Sequence, residues 1–340
     1  MCRPRSNLPA HLMAAAAYPR LVSDVGGTNV RFGLVRAAGA AVAHVRSFAC
    51  SDFASVQAAA RAYLEELERT GGAPQRPAAV ALALASVIDG PTVKMTNSAW
   101  TVSSSDVAAS LGTTDVQLLN DFEALALALP CLNEGDVAWL GDARPDRRLP
   151  MAVIGPGTGL GVSACVPAGE GWVALASEGG HVTASAADDF EAELLRLLRQ
   201  EHAHVSAERL LSGIGLPLLY RAVCGVNGVA PRELDAQAIT QGSNDDAQCR
   251  VTVDTFCAML GSFAGNVALT MGARGGIFVA GGIAQHLHAA LQASRFRERF
   301  EAKGRFRPYM EHVATGLITA PHAALTGAAQ SLDLRANARH

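Results

Sequence analysis

The stretch "DVGGTNVRFGLV", residues 24 to 35, decides how this chain folds. Leu21 and Val22 precede it, and a glycine pair then joins two apolar runs, which predicts a strand, a tight turn and a returning strand. Residues 151 to 166, "MAVIGPGTGLGVSACV", repeat the same order of apolar run, glycine turn and apolar run. Two halves that open alike predict a duplicated domain.

Strands and helices are predicted to alternate between the two openings. Apolar periodicity indicates a helix near residues 53 to 69, a strand over 78 to 86 and a second helix near 104 to 111. The stretch "VQLLNDFEALALALP", residues 116 to 130, reads as a buried strand followed by a helix. The residues expected to pack that helix are Phe122, Leu125 and Leu129.

Two helices of the second half carry apolar stripes that we assign to the core. A polar stretch with two prolines, residues 142 to 150, separates this half from the first. A strand and a turn are predicted in "GGIFVAGGI", residues 275 to 283. The stripes consist of Phe190, Leu194, Leu197 and Leu198 in one helix and Val253, Phe256, Leu260, Phe263 and Val267 in the other.

Composition limits the class of protein. The chain has 340 residues, of which 49% are hydrophobic and 33 are glycine, which favours a soluble α/β protein large enough for two domains. The formal net charge is −3, and no run of Lys or Arg is present that would neutralise phosphates along a nucleic acid. We therefore expect no nucleic-acid partner.

The seven cysteines are scattered and never spaced as C-x-x-C, which indicates neither a disulfide framework nor a thiolate zinc site. That usage favours the reducing cytoplasm. No stretch reaches about 18 uninterrupted apolar residues, so we expect no membrane span. Residues 1 to 18 are predicted to form a disordered extension, with a translation start at Met13 as the alternative.

Three glycine-rich turns each follow a predicted strand. Successive main-chain N–H groups in such turns form concavities that bind anions, and three of them would hold one nucleotide. The Walker pattern is absent, and "GPGTGLG" lies between two strand-like runs with no helix opening at its last glycine, which argues against a dinucleotide fingerprint. The turns are Asp24 to Asn29, Gly155 to Gly161, and Gly281 with Gly282.

Acidic and imidazole side chains supply a second kind of chemistry. Asp24 beside phosphate-binding amides would be repulsive unless a cation or its bound waters lay between them. Glu178, His181 and Glu208 offer hydrogen bonds to several hydroxyl groups, as a sugar ring requires. Two simpler interpretations stay open: Ser206 caps a helix that carries Glu208 on its solvated face, and His181 is a core histidine with its hydrogen bonds satisfied.

Taken together, these residues resemble the bacterial glucokinase family, of the hexokinase, actin and Hsp70 ATPase superfamily. The resemblance covers nearly the whole chain from about residue 21 and is nearer to the proteobacterial glucokinases than to the ROK-type sugar kinases and repressors, whose cysteine-rich zinc motif is missing here. The matching segments, in order, are "DVGGTNVRFGL", "MTNSAW", "LLNDFEALALALP", "IGPGTGLGVS", "SEGGHV", "HVSAERLLSGIGLPLLYRA", "GGIFVAGGIAQ" and "FEAKGRFRPYM".

The resemblance implies an α/β fold of two ribonuclease-H-like, actin-like ATPase domains that flank a cleft, with mixed sheets and helices on both faces. It places a small domain at residues 19 to 131 plus 322 to 340 and a large domain at residues 132 to 321. It also implies glucose and ATP as substrates, Mg²⁺ as the metal, a homodimer and a cytoplasmic location.

Residue roles follow from the same resemblance. Asp121 is the expected catalytic base, which would explain a polar pair inside an apolar stretch, and Asp24 is the expected partner of Mg²⁺ through water. The expected sugar-binding residues are Asn97, Asn120, Asp121, Glu178, His181 and Glu208. The expected nucleotide-binding residues are Asp24, Gly26, Gly27, Thr28, Asn29, Gly157, Thr158, Gly159, Gly281 and Gly282.

Two departures from the family pattern affect loops. Ser86 and Val87 stand where many relatives have a proline, so we expect a less rigid loop beside the sugar. "APHAALTGAA", residues 320 to 329, replaces a more glycine-rich proline loop. Neither touches an acidic or phosphate-binding position, so both bear on affinity more than on activity.

Three other functions are compatible with parts of this pattern. A kinase for another hexose, such as mannose or N-acetylmannosamine, would keep the same residues. A sugar sensor without catalysis would not need Asp121 or the phosphate turns. An actin-like filament protein would keep the turns but would have no use for Glu178, His181 and Glu208.

Overall fold

The computed structural model describes residues 18–71 and 76–338. Residues 1 to 17, which make up nearly all of the predicted disordered extension of residues 1 to 18 and include the alternative start at Met13, lie outside the described residues. The strands are β1 Arg20–Val25, β2 Asn29–Val35, β3 Ala43–Ala49, β4 Ala79–Leu84, β5 Thr92–Lys94, β6 Thr101–Ser103, β7 Val116–Asn120, β8 Val137–Trp139, β9 Met151–Pro156, β10 Leu160–Ala168, β11 Gly171–Leu175, β12 Gly276–Val279 and β13 Thr315–Ile318.

Helices and strands are interspersed along the chain, and in the second half several helices follow one another without a strand between them. They are α1 Val56–Arg69, α2 Ser104–Leu111, α3 Asp121–Ala128, α4 Asp189–Glu201, α5 Gly215–Val226, α6 Ala236–Gly242, α7 Ala247–Met271, α8 Gly282–His286, α9 His288–Ala293, α10 Phe296–Glu301, α11 Arg307–Glu311 and α12 Ala323–Ala338.

The chain divides into two compact units. Unit 1 comprises Met1–Asn133, Ala168–Ala174 and Pro321–His340, and unit 2 comprises Glu134–Pro167 and Leu175–Ala320. The sequence did not predict that residues 168 to 174 belong to unit 1.

The main sheets of the two halves share one strand arrangement. The first has the order β3-β2-β1-β4-β7, in which β1 pairs antiparallel with β2 and parallel with β4. The second has the order β11-β10-β9-β12-β13-β8, in which β9 pairs antiparallel with β10 and parallel with β12. Both predicted hairpins, with their glycine turns, are therefore confirmed, and the shared order supports the duplication that the sequence indicates.

Strand β4 explains how the sheet of unit 1 is covered on both faces. Its sequence alternates small and large residues, and in a strand alternate side chains point to opposite faces. Val80, Leu82 and Leu84 pack in the cluster that contains α1 and α2 residues, whereas its alanines pack with residues of α3 and α12. The alanine face leaves room for these two helices to lie close to the sheet.

Helix α3 packs only in part through the residues that the sequence suggested. Leu129 is buried, but Phe122 and Leu125 are only partly buried, and the helix buries mainly alanines and Leu127. Helix α12 causes this difference, because its Gly327 lies against the carbonyl oxygen of Ala124. Small residues allow the two helix backbones to approach, whereas large side chains at this contact would hold them apart.

The core of unit 2 is built around α7. Val253, Phe256, Leu260, Phe263 and Val267 are all buried, as the stripe predicts. Within the described residues, α7 is also the one helix long and apolar enough to cross a membrane, but 83% of its most apolar window is buried inside the structure. This burial is what a core helix shows.

Replacement of Gly327 by alanine tests the close contact of α3 and α12. A Cβ there would overlap the main chain of Ala124. Overpacking of this kind costs about 1–3 kcal/mol, so we expect the free energy of unfolding to fall by that amount in urea denaturation. Gly225→Ala in α5 is the control, because its Cβ would meet only the Leu197 side-chain end at 3.2 Å, and helix propensity should make it neutral or stabilising. Equal urea midpoints for Gly327→Ala and the wild type would contradict the contact.

Candidate active site

Three strand ends of unit 1 lie in one row. Val25 pairs with Leu84, and Leu84 pairs with Asn120, so β1, β4 and β7 finish at the same height. The first glycine turn, the segment at Ser86 and the start of α3 with Asp121 follow these ends. The carboxyl edge of parallel strands is where open α/β sheets bind ligands. The structure therefore brings the predicted catalytic residue and the first phosphate turn to one edge of one sheet.

The first glycine turn is held by Cys50, a residue that the sequence analysis did not single out. The Gly26 N–H donates to the Asn29 carbonyl at 2.9 Å and closes the turn. The Cys50 N–H donates to the Thr28 carbonyl at 2.8 Å, and its thiol donates to the Gly26 carbonyl at 3.6 Å. Burial raises the pKa of the Cys50 thiol, which keeps its proton for this bond.

The segment that carries Asn97 is fixed against the same turn. A Cβ at Gly27 would overlap Asn97, so these two residues lie in close contact, and Asn97 itself is exposed. The Ser86 hydroxyl oxygen accepts the Thr96 N–H at 2.9 Å. A proline at position 86 has no hydroxyl to make this bond. We expected a loop with Ser86 to be less rigid than one with proline. The Ser86 side chain instead holds the loop through this hydrogen bond.

Asn120 caps α3. Its side-chain oxygen accepts the N–H groups of Phe122 at 2.9 Å and Glu123 at 3.4 Å, and the Glu123 carboxylate accepts the Asn120 N–H at 2.9 Å. These reciprocal bonds form a capping box. The Asn120 side-chain amide also donates to the Ser86 carbonyl at 3.1 Å, which leaves its second N–H as the group that can reach a ligand.

Asp121 is the first residue of α3 and is partly buried. One of its carboxylate oxygens accepts the Phe122 N–H at 3.0 Å, which fixes the direction of the side chain. The positive end of a helix dipole favours an acidic residue in the first turn. The two polar residues of the apolar stretch therefore occupy different positions. Asn120 caps the helix, and Asp121 presents a carboxylate at the helix N-terminus.

Asp24 faces Arg31 across the β1–β2 hairpin. The two residues are register partners, and the guanidinium lies 3.0 Å from the carboxylate. Loss of solvent raises the pKa of Asp24, whereas the charges of Arg31 and His322 act to lower it. The sequence analysis missed Arg31, although its position opposite Asp24 follows from the hairpin.

Asp24 suits a metal that keeps most of its water. Within the described residues, no group of three or more His, Cys, Asp or Glu side chains converges as a metal site. Mg²⁺ is commonly held by one or two carboxylates together with waters and substrate phosphates, so one carboxylate beside a phosphate turn is sufficient. Arg31 occupies Oδ2 of Asp24, and Oδ1 is the oxygen suited to accept from a metal-bound water.

The second and third glycine turns meet at the carboxyl edge of the sheet in unit 2. Ile154 of β9 pairs with Val279 of β12, and the Ala280 N–H donates to the Ile154 carbonyl at 2.8 Å. Gly281 has φ +91°, and a Cβ there would overlap the main chain at Pro156. Glycine is therefore required at position 281, and the two turns lie against each other.

Glu178, His181 and Glu208 form one group in unit 2. His181 Nε2 lies 3.9 Å from Glu178 Oε2, and His181 Nδ1 lies 3.8 Å from Glu208 Oε1. The His181 side chain is 61% exposed, so it is not a core histidine. Residues 207 to 210 form a bend and turns rather than a helix, so the solvated-helix interpretation of Glu208 is wrong as well. Two carboxylates beside an imidazole can bind several hydroxyl groups at once.

An apolar cavity of about 230 Å³ lies behind this group, within unit 2. Gly179 and Val182 of the segment that carries His181 line one part, and Phe263 and Val267 of α7 line another. The segment is therefore not packed tightly along its whole inner side.

Known proteins resemble this chain along almost its full length. The glucokinase family model matches residues 21–335. A glucokinase from Chromobacterium violaceum is 44% identical over 321 residues, which is 93% of this chain and 90% of that protein. One from Paramagnetospirillum magneticum is 45% identical over 91% of this chain and 96% of that protein. The chain belongs to the glucokinase family.

Solved structures agree with this glucokinase membership. A glucokinase from an Antarctic psychrotroph superposes with a TM-score of 0.86 at 37% identity, over 93% of this chain and 99% of that one. A ROK family glucokinase from Streptomyces griseus, in complex with glucose and AMPPNP, has a TM-score of 0.59 at 17% identity, over 92% of this chain and 99% of that one, and shares the fold. The predicted resemblance to proteobacterial glucokinases is confirmed.

Replacement of Ser86 tests how the Asn97 segment is held. Ser86→Ala removes the acceptor of the Thr96 N–H, and a hydrogen bond of about 1 kcal/mol corresponds to roughly fivefold faster exchange of that amide. Ser86→Thr keeps the hydroxyl and should retain slow exchange, and Ser51→Ala at an exposed site is the control. Hydrogen exchange followed by NMR measures the rates. Unchanged exchange at Thr96 in Ser86→Ala would show that the hydroxyl does not hold the segment.

Proposed function

We propose that the protein transfers the terminal phosphoryl group of ATP to the 6-hydroxyl of glucose, giving glucose 6-phosphate and ADP at the entry to glycolysis. The observation that carries the proposal is the Asp121 carboxylate, fixed at the N-terminus of α3 on the strand edge that also bears the first glycine turn. Relatives named glucokinase, at 44% and 45% identity over nearly the whole chain, support the choice of reaction.

Asp121 acts as the general base in this proposal. Phosphoryl transfer requires in-line positioning, stabilisation of charge on the transferred group and an acceptor for the hydroxyl proton. The Phe122 N–H fixes the direction of the Asp121 carboxylate, and in this proposal the carboxylate takes the proton of the sugar hydroxyl as the hydroxyl oxygen attacks phosphorus. Such assistance contributes about 10²- to 10⁴-fold to rate.

We assign sugar binding to the polar residues that the family resemblance indicates in each unit. Glu178, His181 and Glu208 bind hydroxyl groups through two carboxylates and an imidazole. Asn97 and the remaining N–H of Asn120 add side-chain amide groups. A site built from charged acceptors discriminates strongly against a sugar that leaves one of them unpaired.

We assign nucleotide binding to main-chain groups of the glycine turns. The residues assigned to it are Asp24, Gly26, Gly27, Thr28 and Asn29, then Gly157, Thr158 and Gly159, and finally Gly281 and Gly282. Mg²⁺, when bound, supplies charge neutralisation to the phosphates. Asp24 would hold it through water, and Arg31 keeps the carboxylate in place.

The remaining expectations concern architecture and assembly. We propose that the two units correspond to the ribonuclease-H-like domains of the actin-like ATPase superfamily, which the shared strand order supports. The homodimer and the cytoplasmic location that the family resemblance implies stay predictions.

Removal of the carboxylate of Asp121 tests the catalytic role. Asp121→Asn should lower glucose-dependent ADP production by about 10²- to 10⁴-fold in a coupled assay, because the amide cannot accept the hydroxyl proton. Asp106→Asn is the matched control, since Asp106 is an exposed acidic residue in the first turn of α2. Near-normal turnover in Asp121→Asn would overturn this role.

A hexose panel in the same assay separates the alternative substrates. Turnover on mannose or N-acetylmannosamine but not glucose would keep the mechanism and change the substrate. Sugar binding without any turnover would favour the non-catalytic sensor.

Metal removal tests the proposed roles of Mg²⁺ and of Asp24 as its partner. EDTA should abolish glucose-dependent ADP production, and added Mg²⁺ should restore it. Asp24→Asn should need a higher Mg²⁺ concentration for half-maximal rate, on the order of tenfold, because a charged hydrogen-bond acceptor is lost. Asp52→Asn, at an exposed position outside the turn, should keep the wild-type requirement. A wild-type Mg²⁺ dependence in Asp24→Asn would exclude this residue as the metal partner.

A further inference from the structure

The second glycine turn receives the carboxylate of Glu208. The Leu160 N–H donates to Glu208 Oε2 at 2.9 Å. A Cβ at Gly159 would overlap that same oxygen and would lie 3.3 Å from the Glu208 Cδ. The carboxylate therefore rests against the main chain of the turn, in space that exists only because residue 159 has no side chain.

Further main-chain bonds join the surrounding segments of unit 2. The Glu208 N–H donates to the Gly180 carbonyl at 2.9 Å, and Gly180 lies against the Leu160 carbonyl. The Gly213 N–H donates to the Gly157 carbonyl at 2.8 Å. The turn, the segment that carries His181 and the segment that carries Glu208 thus form one hydrogen-bonded assembly.

We propose that Gly159 is a positioning residue for the sugar, although its turn belongs to the nucleotide-binding set. The inference rests on the proposed function, in which Glu208 binds a sugar hydroxyl. With Oε2 held at the turn, Oε1 points towards His181 at 3.8 Å and is aimed before the sugar arrives. An acceptor fixed in advance loses less conformational freedom on binding, so the affinity for sugar is higher.

The same geometry makes Gly159→Ala a selective change. The atom that a methyl group would meet is the end of the Glu208 side chain, which can rotate away. At Gly180 and Gly281 the obstructing atoms are main-chain carbonyls, so substitution there would disturb the backbone itself. Gly135 is the control in the same unit, because it lies outside the glycine turns and nothing lies within 4 Å of a Cβ at that position.

The test measures glucose binding by calorimetry without nucleotide. Gly159→Ala should weaken glucose binding on the order of tenfold or more, the effect of losing one hydrogen bond to a charged group. Gly135→Ala should bind glucose as the wild type does in this binary experiment. In a Glu208→Ala background, Gly159→Ala should cause no further loss, because the side chain that it displaces is absent.

The other possible outcomes of this test also support or overturn the inference. Wild-type glucose affinity in Gly159→Ala overturns it, as does an additive loss in the Glu208→Ala background. If Gly159→Ala alone does not fold, thermal unfolding of the double variant decides: rescue by Glu208→Ala supports the contact, and an unfolded double variant overturns it. If the wild type binds no glucose, the proposed function and this inference both fail. If Gly159→Ala loses affinity for AMPPNP but keeps its affinity for glucose, only the inference fails.

Discussion

Hydrogen bonding between parallel strands fixes where each strand ends, and the candidate site depends on that register. In unit 1 the row of Val25, Leu84 and Asn120 ends three strands together, and the residues that follow them share one edge. In unit 2 the pairing of Ile154 with Val279 does the same for two glycine turns. The antiparallel hairpin before each parallel pair explains why each half opens with a turn and not with a helix.

The second constraint is that a helix or a side chain must lie close against the main chain of another segment, which glycine residues make possible. Helix α12 reaches α3 because Gly327 has no side chain, and α3 in turn directs Asp121. Asn97 reaches the first turn at Gly27, and Glu208 reaches the second turn at Gly159. In each case a residue with a proposed chemical role, or the helix that carries it, lies against a glycine whose missing side chain makes room for the contact.

Most of the charged residues at the candidate site are acidic. Asp24 and Asp121 lie in unit 1, and Glu178 and Glu208 lie in unit 2, while Arg31 is engaged with Asp24. Hydroxyl groups of a sugar are well matched to such acceptors, but phosphates are not. In the proposed reaction, main-chain N–H groups and a cation would therefore have to neutralise the phosphates, which agrees with the abundance of glycine in the three turns.

Sequence patterns anticipated the secondary structure well where the physical cause is local. The hairpins, the buried face of α7 and the strand before Asp121 follow from apolar periodicity and glycine turns. The packing face of α3 was predicted only in part, because α12, almost 200 residues further along the chain, determines which side of α3 is buried. The simpler interpretations of His181 and Glu208 failed because the His181 side chain is 61% exposed and because residues 207 to 210 form a bend and turns.

The sequence by itself determined the alternating α/β class, the duplicated opening, the chemical types at the candidate site and the family. Only the tertiary structure decided that Asn120 is a helix cap, that Cys50 holds the first turn and that Glu208 rests on the second. Local patterns depend on residues a few positions apart, which a sequence displays directly. Contacts such as Leu160 with Glu208 join residues 48 positions apart, and their geometry exists only after the sheet has aligned the segments that carry them.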